Sequence, residues 1–122
     1  MTMTRYCSIV LLALVGLTTF AAAGRHKQDA IRNGNVPEKA VTVYRYVLQH
    51  GQAPQGYVGG RTWENREHRL PPGGEYHEYD VNPKVRGVNR GAERIIVDLR
   101  ARKGWYTADH YRTFTPIPNQ GT

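Results

Sequence analysis

Residues 75–99, EYHEYDVNPKVRGVNRGAERIIVDL, hold the pattern from which the fold can be read. Two short runs, Glu75–Val81 and Arg94–Leu99, alternate at the period of two that an extended strand imposes, and a stretch bearing Pro and Gly separates them. Along the first, Tyr76, Glu78 and Asp80 point one way while His77, Tyr79 and Val81 point the other. Along the second, Ile95, Val97 and Leu99 share a face, with Arg94, Ile96 and Asp98 on the reverse. If the apolar faces carry the core, His77 belongs to the packing side as a structural residue. Glu78 and Arg94 then project together from the open side of one sheet.

The chain on either side keeps the same character. Arg61–Glu64, Trp105–Thr107 and Tyr111–Thr115 are further short segments of strand type, and Gln52–Gly60 reads as a loop. Their spacing suits antiparallel hairpins and is too short for strand–helix–strand units. Upstream, Val36-Pro37-Glu38 marks a helix start, with Pro at the first helical position and an acid in the first turn. Ala40, Val43, Tyr44, Val47 and Leu48 recur at helical spacing, and Gly51 stands where a helix stops. The β-branched run Val41-Thr42-Val43 argues for a strand instead, so propensity alone leaves this segment open. Taken as a helix, it completes an α+β fold: one N-terminal helix packed on a small twisted antiparallel β-sheet.

The first residues are of another kind. Arg5, the apolar run Ile9–Phe20 and the small residues Ala21-Ala22-Ala23 are the three parts of a cleavable secretory signal, residues 1–23. Cleavage there leaves 99 of the 122 residues, 24–122, enough for one domain with one modest core. Gly24–Asn35 is polar and aperiodic and reads as a loose arm. The chain has 17 Lys and Arg against 10 Asp and Glu, and loss of Arg5 leaves 16 against 10. That surplus suits a polyanionic partner, by steering and by phosphate contacts. The single cysteine, Cys7, departs with the signal, so the remaining domain has no disulfide and no thiol nucleophile. The five histidines lack paired ligand spacing, and neither a metal site nor a cofactor is expected.

Three blocks concentrate the chemistry: Tyr76-His77-Glu78-Tyr79, Arg90-Gly91-Ala92-Glu93-Arg94-Ile95-Ile96 and Thr107-Ala108-Asp109-His110-Tyr111. They supply a carboxylate, two guanidinium groups and an imidazole. A carboxylate can take the proton of a ribose 2′-hydroxyl, and a protonated imidazole can give one to a departing 5′-oxygen. Arginines hold the phosphate and offset the charge that builds on its oxygens. This set can cleave a phosphodiester of RNA without a metal. A fourth block, Trp63-Glu64-Asn65-Arg66-Glu67, is followed by Leu70-Pro71.

In wording and order these blocks, spanning about Gly60 to Phe114, resemble the small secreted guanyl-specific ribonucleases of bacteria, the family of barnase and the Streptomyces ribonucleases. The resemblance implies a helix on a sheet, and so favours helix for the segment left open above. It implies Glu78 as general base, Arg90 and Arg94 as phosphate ligands and His110 as general acid. Ile95-Ile96 fixes the register of Arg94, but the interval from Glu78 to Arg90 is one residue longer than in the Streptomyces enzymes, which leaves Arg86 as an alternative. Asn65-Arg66-Glu67 matches the family's guanine-recognition loop. There Glu67 accepts the N1–H and amino group of guanine, and backbone N–H groups near Asn65 and Arg66 meet O6. Trp63 either lies over the base or packs in the core, Tyr111 packs on base or sugar, and Glu64 stands where the family has a neutral polar residue. The cysteine-free domain is barnase-like in this respect.

The expected protein is a monomeric, secreted endoribonuclease, extracellular or periplasmic, that cuts single-stranded RNA 3′ of guanosine through a 2′,3′-cyclic phosphate. Two alternatives accompany it: an RNA-binding module that has lost catalysis, and a toxin restrained by a small acidic barstar-like inhibitor. The presence of both Glu78 and His110 speaks against the first of these.

Overall fold

The computed structural model describes residues 34–119. The signal segment 1–23 and most of the arm lie outside the described residues. A helix, α1 (Glu38–His50), precedes five strands: β1 (Gly59–Thr62), β2 (Tyr76–Asp80), β3 (Arg94–Asp98), β4 (Lys103–Thr107) and β5 (Thr115–Pro116). The strands pair antiparallel in the order β1-β2-β3-β4-β5, so the expected α+β architecture holds.

The doubtful segment is helical because of what it buries. Ala40, Val41, Val43, Tyr44 and Val47 form an apolar stripe against the sheet. Burying each valine is worth about 1.5–3 kcal/mol, well beyond the few tenths, up to about 0.7 kcal/mol, that a β-branched residue costs in a helix. The Thr42 hydroxyl donates to the Glu38 carbonyl at 3.0 Å, which absorbs its polar group within the helix. Pro37 sits one position earlier than expected. Its ψ of 145° is extended, and its carbonyl accepts the N–H groups of Ala40 and Val41, which makes it the N-cap. Gly51 closes the helix with φ 68°, its N–H donating to the Val47 carbonyl at 2.8 Å. At Gly104 a Cβ would lie 2.5 Å from the Tyr44 ring, so only glycine lets α1 approach β4 this closely.

One face of the sheet carries the core beneath the helix, where Val43, Val47, Tyr79, Ile95 and Val97 meet. The other face departs from the expected open surface. Leu70, Tyr76, Ile96, Trp105 and Phe114 form a second, smaller core there, with Trp63 and Tyr111 against its edge. Ile96, on the same face as Arg94, is wholly buried. Two connections roof this half of the sheet, the 63–71 loop and the 108–114 segment, and beside them Glu78, Asp80 and Arg94 share the same face.

Strand boundaries also shift, and β4 begins at Lys103, two residues before the expected Trp105. β1 begins at Gly59, two residues early, with an irregularity between Gly59 and Arg61. It ends at Thr62, and three residues on Asn65 has a left-handed backbone with φ of 51°. Of Tyr111–Thr115, only Thr115 belongs to a strand, β5. Asp109 draws the N–H groups of Arg112 and Thr113 onto its own carboxylate, so those amides cannot join a ladder, and pairing starts only at Thr115. His77 keeps a structural place, its Nδ1 lying 3.1 Å from the Gly60 carbonyl of the neighbouring strand.

Candidate active site

Strand register builds the first half of the site. Asp80 and Arg94 are direct cross-strand partners, and Glu78 lies two residues before Asp80 on the same face. The Asp80 carboxylate is buried, at 2% exposure, and holds two arginines at once. Its Oδ1 is 3.0 Å from Arg94 Nε, and it takes a two-pronged bond from Arg90, Nε to Oδ2 at 2.8 Å and Nη2 to Oδ1 at 2.6 Å. The hydrogen bond to Asp80 holds Arg90 still more firmly protonated than an ordinary arginine, against the opposing effect of burial. Arg94, itself buried, also donates through Nη1 to the carbonyls of Gly91 and Glu93, at 3.0 and 2.7 Å. Arg90 therefore joins the cluster of Glu78 and Arg94, whereas Arg86 lines a separate hollow with Tyr57, Val58 and Lys84.

Tyr111 links this cluster to the rest of the site. Its hydroxyl donates to Glu78 Oε2 at 2.6 Å. Burial, then the neighbouring Glu78 carboxylate, push the phenol far above its ordinary range, with Arg94 opposing, so it stays a proton donor. A bond to one carboxylate oxygen leaves the other for a substrate hydroxyl. The Tyr111 ring stacks on Trp63, centroids 5.9 Å apart at 27°, and lies 4.8 Å from the His110 ring.

His110 and Tyr111 both have left-handed backbones, with φ of 54° and 72°. Such a conformation costs on the order of 1–3 kcal/mol per non-glycine residue and must be held by its surroundings. Asp109 does this holding. Its carboxylate accepts the Thr113 N–H and hydroxyl, the Arg112 N–H and the Thr107 hydroxyl, while Thr107 Oγ1 in turn accepts the Tyr111 N–H. Burial raises the Asp109 carboxyl, but these hydrogen bonds outweigh it and bring it below the ordinary aspartate value. The His110 N–H is tied to the Ala92 carbonyl at 3.1 Å, and its ring stays exposed.

The fourth block forms the other wall. The Asn65 side chain mimics a peptide: Nδ2 donates to the Leu70 carbonyl at 2.8 Å and Oδ1 accepts the Leu70 N–H at 3.0 Å. Its own carbonyl accepts the His68 N–H, so Arg66 and Glu67 occupy the tip of a turn. Glu67 is exposed and paired with Arg69, whose Nε donates to Oε2 at 2.7 Å. Arg69 also donates to the Arg112 carbonyl, which ties the recognition loop to the segment bearing His110. Glu64 pairs with Arg66 at 2.6 Å, and both line the groove. Trp63 packs as expected, meeting Tyr76 and Phe114 edge-on, and it also lines a groove of about 570 Å³ with Thr62, Glu67, Arg69, His110 and Tyr111.

Asp80, Glu93, Arg69 and Asp109 went unassigned in the sequence. Asp80 was the one within reach, since alternation places it beside Glu78. The other three act through turns and loop-to-loop bonds that carry no periodic signal. Among the described residues, no group of three or more His, Cys, Asp or Glu is placed to hold a metal ion.

A five-stranded antiparallel sheet under one helix, with Glu, two Arg and His beside an aromatic groove, defines a small ribonuclease of the microbial type. A family model described as ribonuclease matches residues 20–118. Guanyl-specific ribonuclease Sa of Kitasatospora aureofaciens is 36% identical over 85 residues, 67% of this chain and 85% of that protein. Guanyl-specific ribonuclease St of Saccharopolyspora erythraea is 35% identical over 88 residues, 70% of this chain and 84% of that protein. A ribonuclease Sa2 structure with guanosine-2′-cyclophosphate superposes with a TM-score of 0.54 at 29% identity, covering 71% of this chain and 92% of that one. The chain belongs to the microbial guanyl-specific ribonuclease family and is an endoribonuclease.

Proposed function

We propose that this endoribonuclease cuts single-stranded RNA on the 3′ side of guanosine, through a 2′,3′-cyclic phosphate and without a metal. The observation that carries this reading is the junction at Tyr111, whose hydroxyl meets Glu78 while its ring stacks against Trp63 in the groove that also holds Glu67 and His110. A guanosine seated there brings its ribose to Glu78 and its 3′-phosphate to Arg90 and Arg94. Glu78 takes the 2′-hydroxyl proton, the 2′-oxygen attacks phosphorus, and His110 gives a proton to the departing 5′-oxygen. The two arginines stabilise the charge on the phosphoryl oxygens, and Asp80 fixes where they stand. In the second stage His110 takes a proton from water and Glu78 returns one to the 2′-oxygen. DNA, lacking the 2′-hydroxyl, is not a substrate.

Residues 1–23 direct export, and the domain acts as a monomer outside the cytoplasm. A small acidic inhibitor of the barstar kind would find three arginines, Arg66, Arg69 and Arg112, in the groove, two of them paired with Glu64 and Glu67.

Glu67 should decide between guanine and adenine. Guanine offers N1–H and an amino group to one carboxylate; adenine offers neither at that edge. Losing such partners typically costs ~1–3 kcal/mol. Glu67→Ala should lower kcat/KM on guanylyl-cytidine by about ten- to a hundredfold and barely change it on adenylyl-cytidine. Arg69 keeps its bond to the Arg112 carbonyl in this variant, so the loop stays anchored. A parallel fall on both dinucleotides would make Glu67 a loop-building residue and move base selection elsewhere.

A further inference from the structure

We infer that Glu93 is a positioning residue that sets the place of both Arg94 and His110, because its side chain pins the turn on which both of them hang. The inference rests on the roles proposed above for those two residues. Three successive carbonyls of the turn are in use. Gly91 and Glu93 accept Arg94 Nη1, and Ala92, between them, accepts the His110 N–H. The phosphate arginine and the proposed general acid therefore share one support, although they lie 16 residues apart in the chain.

That support has a side-chain anchor on the helix side of the sheet. Glu93 Oε1 accepts Lys39 Nζ at 2.7 Å and Asn82 Nδ2 at 3.3 Å, and Oε2 accepts the Tyr106 hydroxyl at 2.6 Å. Lys39 also donates to Asn82 Oδ1 at 3.0 Å, which closes the cluster. Lys39 belongs to the first turn of α1, Asn82 follows β2 and Tyr106 lies within β4. One carboxylate thus ties the turn to three separate elements. Burial raises the Glu93 carboxyl, yet the bonds from Lys39, Tyr106 and Asn82 bring it below the ordinary glutamate value, so it meets its donors as an anion. Two acceptor oxygens for three donors is a match that glutamine satisfies in part, since the Tyr106 hydroxyl can turn and accept from the amide.

Displacement of a positioned group by about 1 Å can cost on the order of 10²-fold in rate. Glu93→Ala should therefore lower kcat on guanylyl-cytidine by about ten- to a hundredfold, with KM changed much less. Glu93→Gln should recover most of that loss. Added to His110→Ala, the Glu93→Ala change should cost clearly less than it does alone, because part of what it displaces is already gone. A stability control, Val41→Ala in the main core, should lower the melting temperature without this loss of kcat. If Glu93→Ala folds poorly, Lys39→Met and Tyr106→Phe each remove one bond of the clamp and should each lower kcat with little change in KM. The inference is overturned if folded Glu93→Ala, or both single-bond variants, turn over at the wild-type rate. It is equally overturned if the Glu93→Ala and His110→Ala losses simply multiply. Should His110→Ala itself turn over normally, the assigned roles fail first, and the two failures remain distinguishable.

Discussion

His110→Ala and Glu78→Gln should each lower kcat on guanylyl-cytidine by about 10²–10⁴-fold, the usual worth of a positioned acid or base. Both proteins should still fold. The His110 ring is exposed, and the carboxamide at 78 keeps an oxygen to accept the Tyr111 hydroxyl. Loss should fall on kcat more than on KM, since base recognition and phosphate binding are left to Glu67, Arg90 and Arg94. Comparing the cleavage and hydrolysis stages separates the residues further. Each serves in one direction in the first stage and in the reverse direction in the second, so both stages should slow in both variants. Near-wild-type turnover in either variant would mean that the proton is handled by another group.

The second large effect is on stability. Asp80→Ala removes the buried anion that stands between two guanidinium groups, and Arg94 is buried with it, at 5% exposure. Breaking a buried pair by deleting one partner costs about 3–5 kcal/mol, because the remaining charge is left uncompensated. The Arg90 half is more exposed and adds little. Against a total stability of about 5–15 kcal/mol for a domain of this kind, such a loss is severe. Urea unfolding should show a much lower midpoint with an unchanged slope. A shift worth less than about 1 kcal/mol, the range of surface ion pairs, would show that Asp80 is not the keystone of the arginine pair.

Much of this is legible in the sequence, and the reasons differ from residue to residue. Alternation along Glu75–Val81 and Arg94–Leu99 is a physical property of extended chains, so it correctly set Glu78 and Arg94 on one side and Tyr79, Ile95 and Val97 on the other. The helix was ambiguous because Val41, Thr42 and Val43 carry a local preference that only burial against the sheet overrides. The second core was missed although Ile96 and Trp105 are apolar on the face assigned to substrate, because the loops that cover them have no period. Tyr111–Thr115 looked extended by composition, but a single carboxylate, Asp109, decides its path through side-chain bonds to the backbone. Glu93 resembles any solvated acid in the sequence. Its three donors come from residues 39, 82 and 106, and only the folded chain brings them together.

Product analysis of guanylyl-(3′→5′)-cytidine treated with Gly24–Thr122 in excess EDTA tests the central claim most directly. The account predicts cytidine and guanosine 2′,3′-cyclic phosphate first, then slow conversion to the 3′-phosphate, at a rate unaffected by the chelator, with the deoxy analogue left intact. Abolition by EDTA with rescue by a divalent ion, or cleavage of the deoxy analogue, would contradict it, because neither outcome is compatible with a 2′-hydroxyl activated by Glu78 alone.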